Sequence, residues 1–377
     1  MVARRAVRVT PSKPLAVLES GADPQRTAGR VPGRFSSSGR KERAASSVNF
    51  LRRAVDAIAE LTVVGSYSAL GYRRRVPTFT PIDSDLSGRT VAITGASGGI
   101  GEATAHALAR LRATLLLCVR DTEKGARVRD ALPSSGGAAH QVVRLDVSDL
   151  DDVRRAADVM LAHTTRLYAL VNNAGVLLDR SERSPQGLER AFATNVLGGF
   201  LLSHLLLPAL VAAGRPEDPA RLVHVSSGGM YTQRIDLEKL QGRVAQYDGV
   251  VAYAQHKRAQ VILNRLWGER LRGLPVESYA MHPGWARTKG VATSLPRFER
   301  LMRPILREPE EGADTVVWLV ASPEPVGLSG RFFLDRHPRA EHVFPWTHET
   351  PEEAREVWDL CARLSGVQAT IGSAGRS

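Results

Sequence analysis

A chain of 377 residues, 43% hydrophobic and 24% charged, is long enough for one large domain with appendages or for two ordinary domains, and its proportions exclude a collagen, a wholly disordered chain and a disulfide scaffold. Two cysteines, Cys118 and Cys361, cannot staple a chain of this size, so a reducing compartment is the default. The net charge of +12 is unevenly spread: residues 1–75 hold 15 Lys and Arg against 5 Asp and Glu, the rest holds 36 against 34, and so the body offers no field for steering nucleic acid.

Residues 1–47 are rich in Arg, Ser, Gly and Pro and have too few large apolar side chains to pack, which predicts a disordered basic extension. An Arg- and Ser-rich, acid-poor start also reads as an organelle transit peptide, and a misplaced start codon would look the same. Residues 48–75 form a separate segment whose Phe50, Leu51, Val55, Ile58, Leu61 and Val64 follow a helical rhythm as far as Tyr72. It ends in Arg73-Arg74-Arg75 and has two readings: a helix packed on its own domain, or a peripheral contact with an anionic membrane surface. It is too short and interrupted to span a bilayer.

From Ser87 the pattern alternates short aliphatic or β-branched runs with longer helical ones. Strands are predicted at residues 90–94, 114–119, 141–145, 168–171, 221–225 and 276–281, and helices at 100–111, 150–162, 187–211 and 254–271. That order specifies an α/β fold, a single parallel doubly wound sheet with helices on both faces, over residues 87–345. The window 196–213 is apolar enough to reach the lower edge of transmembrane length, but Ser203, His204 and Pro208 interrupt it, and a helix covering the sheet or a subunit interface explains it better. Residues 346–377 form a carboxy-terminal piece with one further helix at 351–364.

The first chemical motif, Thr94-Gly95-Ala96-Ser97-Gly98-Gly99-Ile100-Gly101, stands between a predicted strand and a predicted helix, where a dinucleotide fingerprint must sit. Glycines permit a tight turn and close backbone approach to a pyrophosphate, and the helix N-terminus attracts its charge. Asn172-Asn173-Ala174-Gly175 ends the fourth strand, Ser226-Ser227 ends the fifth, and Tyr253-Ala254-Gln255-His256-Lys257 opens the next helix. Of seven tyrosines, Tyr253 alone has a lysine four positions on, a spacing that puts both side chains on one helix face. A tyrosine of pKa about 10 is a poor base at neutral pH, and a neighbouring ammonium favours its phenolate.

These four motifs, in this order, resemble the short-chain dehydrogenase/reductase family, which implies a Rossmann-like fold and an oxidoreductase that moves a hydride between a nicotinamide and a carbonyl or alcohol carbon. The resemblance implies that Tyr253 gives or takes the proton, Ser227 orients the reacting oxygen, Lys257 tunes Tyr253 and holds the nicotinamide ribose, and Asn195 steadies a water relay to Lys257. Cofactor contacts carried over in the same way are Gly95, Ser97, Gly99, Ile100, Gly101, Arg120, Asp146, Val147, Asn173, Ala174, Gly175, Pro283, Gly284 and Thr288. Asp146 has a second reading as part of the turn and cap before the third helix.

At the end of the second strand an acidic side chain would accept the NAD 2′-hydroxyl and an arginine would pair with the NADP 2′-phosphate; both Arg120 and Asp121 stand there, so NADP(H) is preferred with NAD(H) open. Cys118-Val119-Arg120-Asp121 resembles retinol-dehydrogenase-like members. The 25-residue connection from Ser227 to Tyr253, with Gly228-Gly229-Met230 and Ile235-Asp236-Leu237, resembles the subgroup of dehydrogenase/reductase member twelve, as do residues 281–286 and 330–336. The substrate expectation is a small lipophilic carbonyl or alcohol. Trp285, Met230, Tyr231 and residues 295–306 are read either as an apolar pocket or as core.

The resemblance also implies a homo-oligomer through the helices after Gly187 and Tyr253, unless the amino-terminal segment caps that surface. Location is expected in the cytoplasm, with peripheral membrane contact and organelle targeting left open. No metal site stands out among ten histidines, and His204, His224 and His256 read as helix or strand residues. A contrasting hypothesis is a dinucleotide-binding sensor or scaffold acting at a membrane or on a protein partner.

Overall fold

The structure is a computed structural model that describes residues 63–287, 300 and 302–370; the predicted extension, most of the segment before Val63, and Thr288 lie outside the described residues. In chain order the helices are α1 (Val63–Tyr67), α2 (Ala69–Arg75), α3 (Gly99–Arg110), α4 (Thr122–Ala131), α5 (Leu150–His163), α6 (Arg190–Ala213), α7 (Leu237–Leu240), α8 (Gly249–Arg270), α9 (Pro309–Ala321) and α10 (Pro351–Ser365). The strands are β1 (Thr90–Thr94), β2 (Thr114–Val119), β3 (Gln141–Arg144), β4 (Leu167–Asn172), β5 (Ala220–Val225), β6 (Val276–Met281), β7 (Phe332–Leu334) and β8 (His337–Arg339).

They form one sheet in the order β3-β2-β1-β4-β5-β6-β7-β8, parallel throughout except for the antiparallel β8. Every residue of β2, β4 and β5 is buried, which is why these strands do not alternate apolar with polar residues, β2 being apolar from Leu115 to Val119. One face is covered by α5, α6, α8 and α10, the other by α3, α4 and α9. The chain winds outward in one direction through β2 and β3 and in the other through β4, so a switch point opens between the carboxyl ends of β1 and β4, where open α/β sheets bind ligands.

The six predicted strands all form, and the sequence reading missed five elements, of which the shortest helix, α7, has four residues. In α4, among the described side chains, only Gly125 and Val128 are buried, too sparse a stripe to show as a period. In α9 nine residues are buried, so its apolar content surrounds the helix and has no period to detect. β7 and β8 have three residues each.

The apolar 196–213 window belongs to α6, which is long and apolar enough to cross a membrane, yet most of it is buried against β4 and α5. α10 lies across α6 and α8, where Trp358 stacks edge-on with Phe200 at 5.0 Å and Trp267 at 5.1 Å. Among the described residues, the helices expected to pair copies of the chain carry α10.

The described part of the pre-domain segment breaks at Ser68, whose hydroxyl caps α2 by accepting from Gly71 N, so it is two short helices and not one. It packs on the body. Arg73 pairs with Glu311 at 2.6 Å and Arg75 with Asp335 at 2.6 Å, so two of the three arginines at its end face carboxylates of the domain.

The anchor of this segment is Arg307, which with Asp335 is 1% exposed. Its two terminal nitrogens bond both Asp335 oxygens, at 2.5 and 2.9 Å, and also reach Pro283 O at 3.2 Å and Ser66 O at 2.9 Å, while Nε donates to Ser68 O at 3.3 Å. All five guanidinium N–H groups are thus matched, the condition under which a buried ion pair holds. Replacing Arg307 by Met leaves a buried carboxylate with Arg75 alone and should cost about 3–5 kcal/mol in denaturant unfolding, with hydrogen-exchange protection lost first over residues 66–75. Unfolding at the wild-type midpoint would show that the pair does not hold the segment.

Candidate active site at the strand switch point

The Gly-rich turn follows β1 directly. Gly95 and Gly99 have φ of +68° and +57°, open to glycine at little cost, and a Cβ on Gly101 would come within 2.3 Å of Gly95 O and 2.6 Å of Asn173 Nδ2. Gly98 stands at the N-cap of α3 with no side-chain cap, so the first N–H groups of a 12-residue helix are left for an anion. Ser97 and Ile100 flank this turn.

Asn173 ties the turn to the end of β4. Its Nδ2 donates to Thr94 O at 2.9 Å, and the Thr94 hydroxyl accepts from Asn173 N at 2.9 Å and Ala174 N at 3.0 Å. One threonine thereby holds the ends of β1 and β4 in register.

Beyond Ala174, a Cβ on Gly175 would lie 3.3 Å from Asn195 Oδ1 and 3.5 Å from Lys257 Nζ, so the bare glycine lets the loop pass beside both. Asn195 sits in a single π turn of α6, Ala193–Leu197, a local widening that no sequence period reveals. Its side chain clamps Val176, accepting from N at 2.7 Å and donating to O at 2.8 Å, and it also reaches His256 Nδ1 at 3.1 Å.

Tyr253, His256 and Lys257 project from α8, which Asp248 caps through Val250 N and Val251 N. Gln255 and His256, the residues between Tyr253 and Lys257, fasten the long connection that precedes them. Gln255 bonds Asp236 N and Arg234 O, and His256 Nε2 meets Leu240 O at 3.1 Å. His256 was read as an ordinary helix residue; here it is fully buried against Asn195, stacked on Phe192, and burial pushes its pKa down to about 3.

The Tyr253 hydroxyl bonds Ser227, whose Oγ also accepts from Gly229 N at 3.3 Å; Ser226 instead turns inward and donates to Lys257 O at 2.9 Å. Lys257 Nζ lies 5.4 Å from the Tyr253 ring centre and donates to Val225 O at 2.8 Å and Gln260 Oε1 at 3.0 Å. Burial pushes Lys257 down to about 7 and raises the Tyr253 phenol, with the Ser227 bond opposing. This departs from the expectation that the lysine charge favours phenolate: desolvation of both groups dominates, and the resting pair holds a phenol.

Arg120 is exposed at the end of β2, and Asp121 beside it is engaged as the N-cap of α4, accepting from Lys124 N and pairing with Lys124 Nζ at 2.6 Å. Asp146 makes the turn its second reading described, accepting from Ser148 N and Oγ at 3.0 and 2.7 Å, while Val147 is buried beneath Gly198. Pro283 is buried and Gly284 takes φ of +72°, packed between Arg307 and Tyr67 O.

Tyr67, from the amino-terminal segment, was missed. Its ring meets His282 at 4.6 Å and Trp285 at 6.0 Å and lies against Gly228, and its carbonyl accepts from Trp285 N at 2.8 Å. Met230 and Tyr231 are core residues, packed with Val261, Ala280 and Phe332, so the apolar pocket reading fails for them. Trp285 is half-buried, and half of the 295–306 stretch, residues 295–299 and 301, lies outside the described residues.

Away from this site Glu341, His342 and Glu349 bring ligand-type atoms within 4.8 Å of one another, but Arg265 already reaches both carboxylates, at 3.6 and 2.6 Å.

The family model described as short chain dehydrogenase matches residues 89–296. The chain belongs to the short-chain dehydrogenase family. As such it is an oxidoreductase. It is 34% identical over 306 residues to human (Homo sapiens) dehydrogenase/reductase SDR family member 12, covering 79% of this chain and 94% of that one. It is 36% identical to Bos taurus retinol dehydrogenase 12, over 76% of this chain and 89% of that one, and 36% identical to Mus musculus polyprenol dehydrogenase, over 83% and 96%. Among solved structures, an uncharacterized Mycobacterium paratuberculosis protein superimposes with TM-score 0.61 at 30% identity, over 76% of this chain and 97% of that one. The Pseudomonas aeruginosa RhlG/NADP active-site complex does so with TM-score 0.56 at 26% identity, over 68% and 97%.

His224, His256 and His282 are buried with pKa values near 3, each depressed chiefly by desolvation. Each is neutral when folded and binds a proton on unfolding, so its contribution is full above pH 6.5 and is lost as the pH falls toward 3, at up to about 4 kcal/mol per pH unit for the three together. Thermal unfolding followed by circular dichroism should show a steep fall in Tm below pH 6.5; a flat profile down to pH 4.5 would contradict the burial of these rings.

Proposed function

We propose that this short-chain dehydrogenase is an NADP(H)-dependent reductase of lipophilic carbonyls, with Tyr253 as the acid/base. The observation that carries the reading is the convergence of Tyr253, Ser227, Lys257 and Asn195 beside an uncapped glycine-rich helix N-terminus.

The donor set fits a dinucleotide. The N–H groups of α3 and the turn from Gly95 to Gly101 would take the pyrophosphate, Asp146 and Val147 the adenine, Asn173 to Gly175 the ribose side, and Pro283 and Gly284 the nicotinamide. Thr288 belongs to the same proposed set. The bound nicotinamide supplies the hydride. Ser227 holds the carbonyl oxygen, and Tyr253, resting as a phenol, gives it a proton as the carbinol forms. Lys257 has three N–H groups, of which Val225 O and Gln260 engage two, leaving one for a ribose hydroxyl.

Preference for NADP(H) over NAD(H) is supported by the division of labour at β2: Asp121 is spent on its helix cap while the Arg120 guanidinium stands exposed for a 2′-phosphate. A long apolar substrate is supported by the aromatic wall of Tyr67 and Trp285 and by the retinol and polyprenol in the names of relatives.

Two measurements test this. In fluorescence titrations Arg120→Ala should weaken NADPH binding about tenfold and leave NADH nearly unchanged, since one charge-assisted contact is removed. Equal loss for both nucleotides would remove the NADP preference. With retinaldehyde and NADPH, Tyr253→Phe should lose about 100-fold or more in turnover while still binding nucleotide; full turnover would sink the assigned mechanism.

A further inference from the structure

We propose that Gln260 is the positioning residue for Lys257, its side-chain amide forming the bridge between the Lys257 ammonium and the Asn195 backbone carbonyl. The inference rests on the acid/base reading above and deepens it.

Tyr253, Lys257 and Gln260 occur at positions i, i+4 and i+7 of α8, one face of the helix. Gln260 is 6% exposed and Lys257 3%, so neither side chain can draw on bulk water. Gln260 Oε1 accepts from Lys257 Nζ at 3.0 Å, and Gln260 Nε2 donates to Asn195 O at 2.7 Å. The chemistry fixes the orientation of the amide. An ammonium only donates and a carbonyl only accepts, so the oxygen must face Lys257 and the nitrogen must face Asn195.

No other side chain of that length serves both ends. A glutamate would put a second acceptor against the Asn195 carbonyl, and a methionine or leucine would leave both groups unpaired. The π turn, Ala193–Leu197, is where α6 presents Asn195, and its carbonyl accepts from Gln260 on α8.

The consequence is electrostatic. Tyr253 and His256 on α8, His224 on β5 and Asn195 on α6 face the ammonium, and both histidines are held neutral by burial. Burial alone depresses Lys257, to about 7, so the fraction charged near neutral pH depends on how well the ammonium is hydrogen-bonded. Val225 O and Gln260 Oε1 are its two acceptors among the described residues. The Gln260 amide thereby ties the Lys257 ammonium to the Asn195 backbone carbonyl.

The test reads Lys257 itself. The chain has six lysines, so lysine labelled with 13C at Cε gives a resolvable set of NMR signals, and the one lost in Lys257→Arg identifies Lys257. In the full-length protein its titration midpoint should fall by half a unit or more in Gln260→Met, which keeps the length and removes both hydrogen bonds; Gln260→Leu replaces it if that variant does not bind NADPH. Gln260→Glu, which adds a charge, should move the midpoint up by about one unit or more and shows that the signal responds. A midpoint in the apolar variant equal to wild type overturns the proposal, since a residue that merely fills space would leave it there. The outcome is independent of turnover: Tyr253→Phe judges the acid/base assignment, and the lysine titration judges Gln260.

Discussion

Parallel strands buried on both faces leave chemistry only one place to go. The strands β4 and β5 are buried throughout and β1 over all but its first residue, so polar side chains that must meet a ligand are confined to their carboxyl ends, and the segments that follow those ends carry the Gly-rich turn, Asn173 to Gly175 and Ser227. The register of β1 against β4 is therefore a functional constraint as well as a structural one. Thr94 and Asn173 enforce it through three hydrogen bonds, and the glycines around them matter because Gly101 and Gly95 pack within van der Waals reach of the same asparagine.

The second constraint acts from the other edge of the sheet. Arg307 and Asp335 are charged groups taken out of water, and a pair so placed stabilises only if each donor finds an acceptor. Here the acceptors come from the amino-terminal segment, the Pro283–Gly284 corner and the β7–β8 hairpin together, so one residue knits three distant stretches of chain. This brings Tyr67 against Gly228, next to Ser227. The segment ahead of the Rossmann-like sheet is thereby a wall of the candidate site and not an appendage to it.

What the sequence made legible follows from the range of the signals. The six long strands, the Gly-rich turn and the Tyr253–Lys257 pair are local patterns, readable within about ten residues. Elements set by tertiary context were not: α4 shows too little apolar surface, α9 is buried without a break from Thr315 to Ala321, and β7 pairs only after the chain has returned from β6. The same division holds within the site. Ser227, Tyr253, Lys257 and Asn195 stand in motifs, whereas Tyr67, His256 and Gln260 acquire meaning only from what lies across from them. For Met230 and Tyr231 the sequence left pocket and core both open, because composition cannot tell an aromatic that lines a cleft from one that fills a core, and the core reading is the one that holds.

The balance between Tyr253 and Lys257 shows why proximity alone was a poor guide to their protonation. A lysine four residues from a tyrosine predicts a lowered phenol pKa in water, but both groups are desolvated on the same helix face, and burial disfavours the charged form of each. The phenol rises and the ammonium falls, so the tyrosine keeps its proton at neutral pH while the lysine titrates near 7. In the reaction proposed above, such a pair gives a proton to a carbonyl oxygen. In the proposed mechanism the same group becomes a base in the opposite direction only when positive charge is gathered beside it, and the hydrogen bonds that Lys257 donates to Val225 O and Gln260 Oε1, which favour its charged form, keep that charge in place.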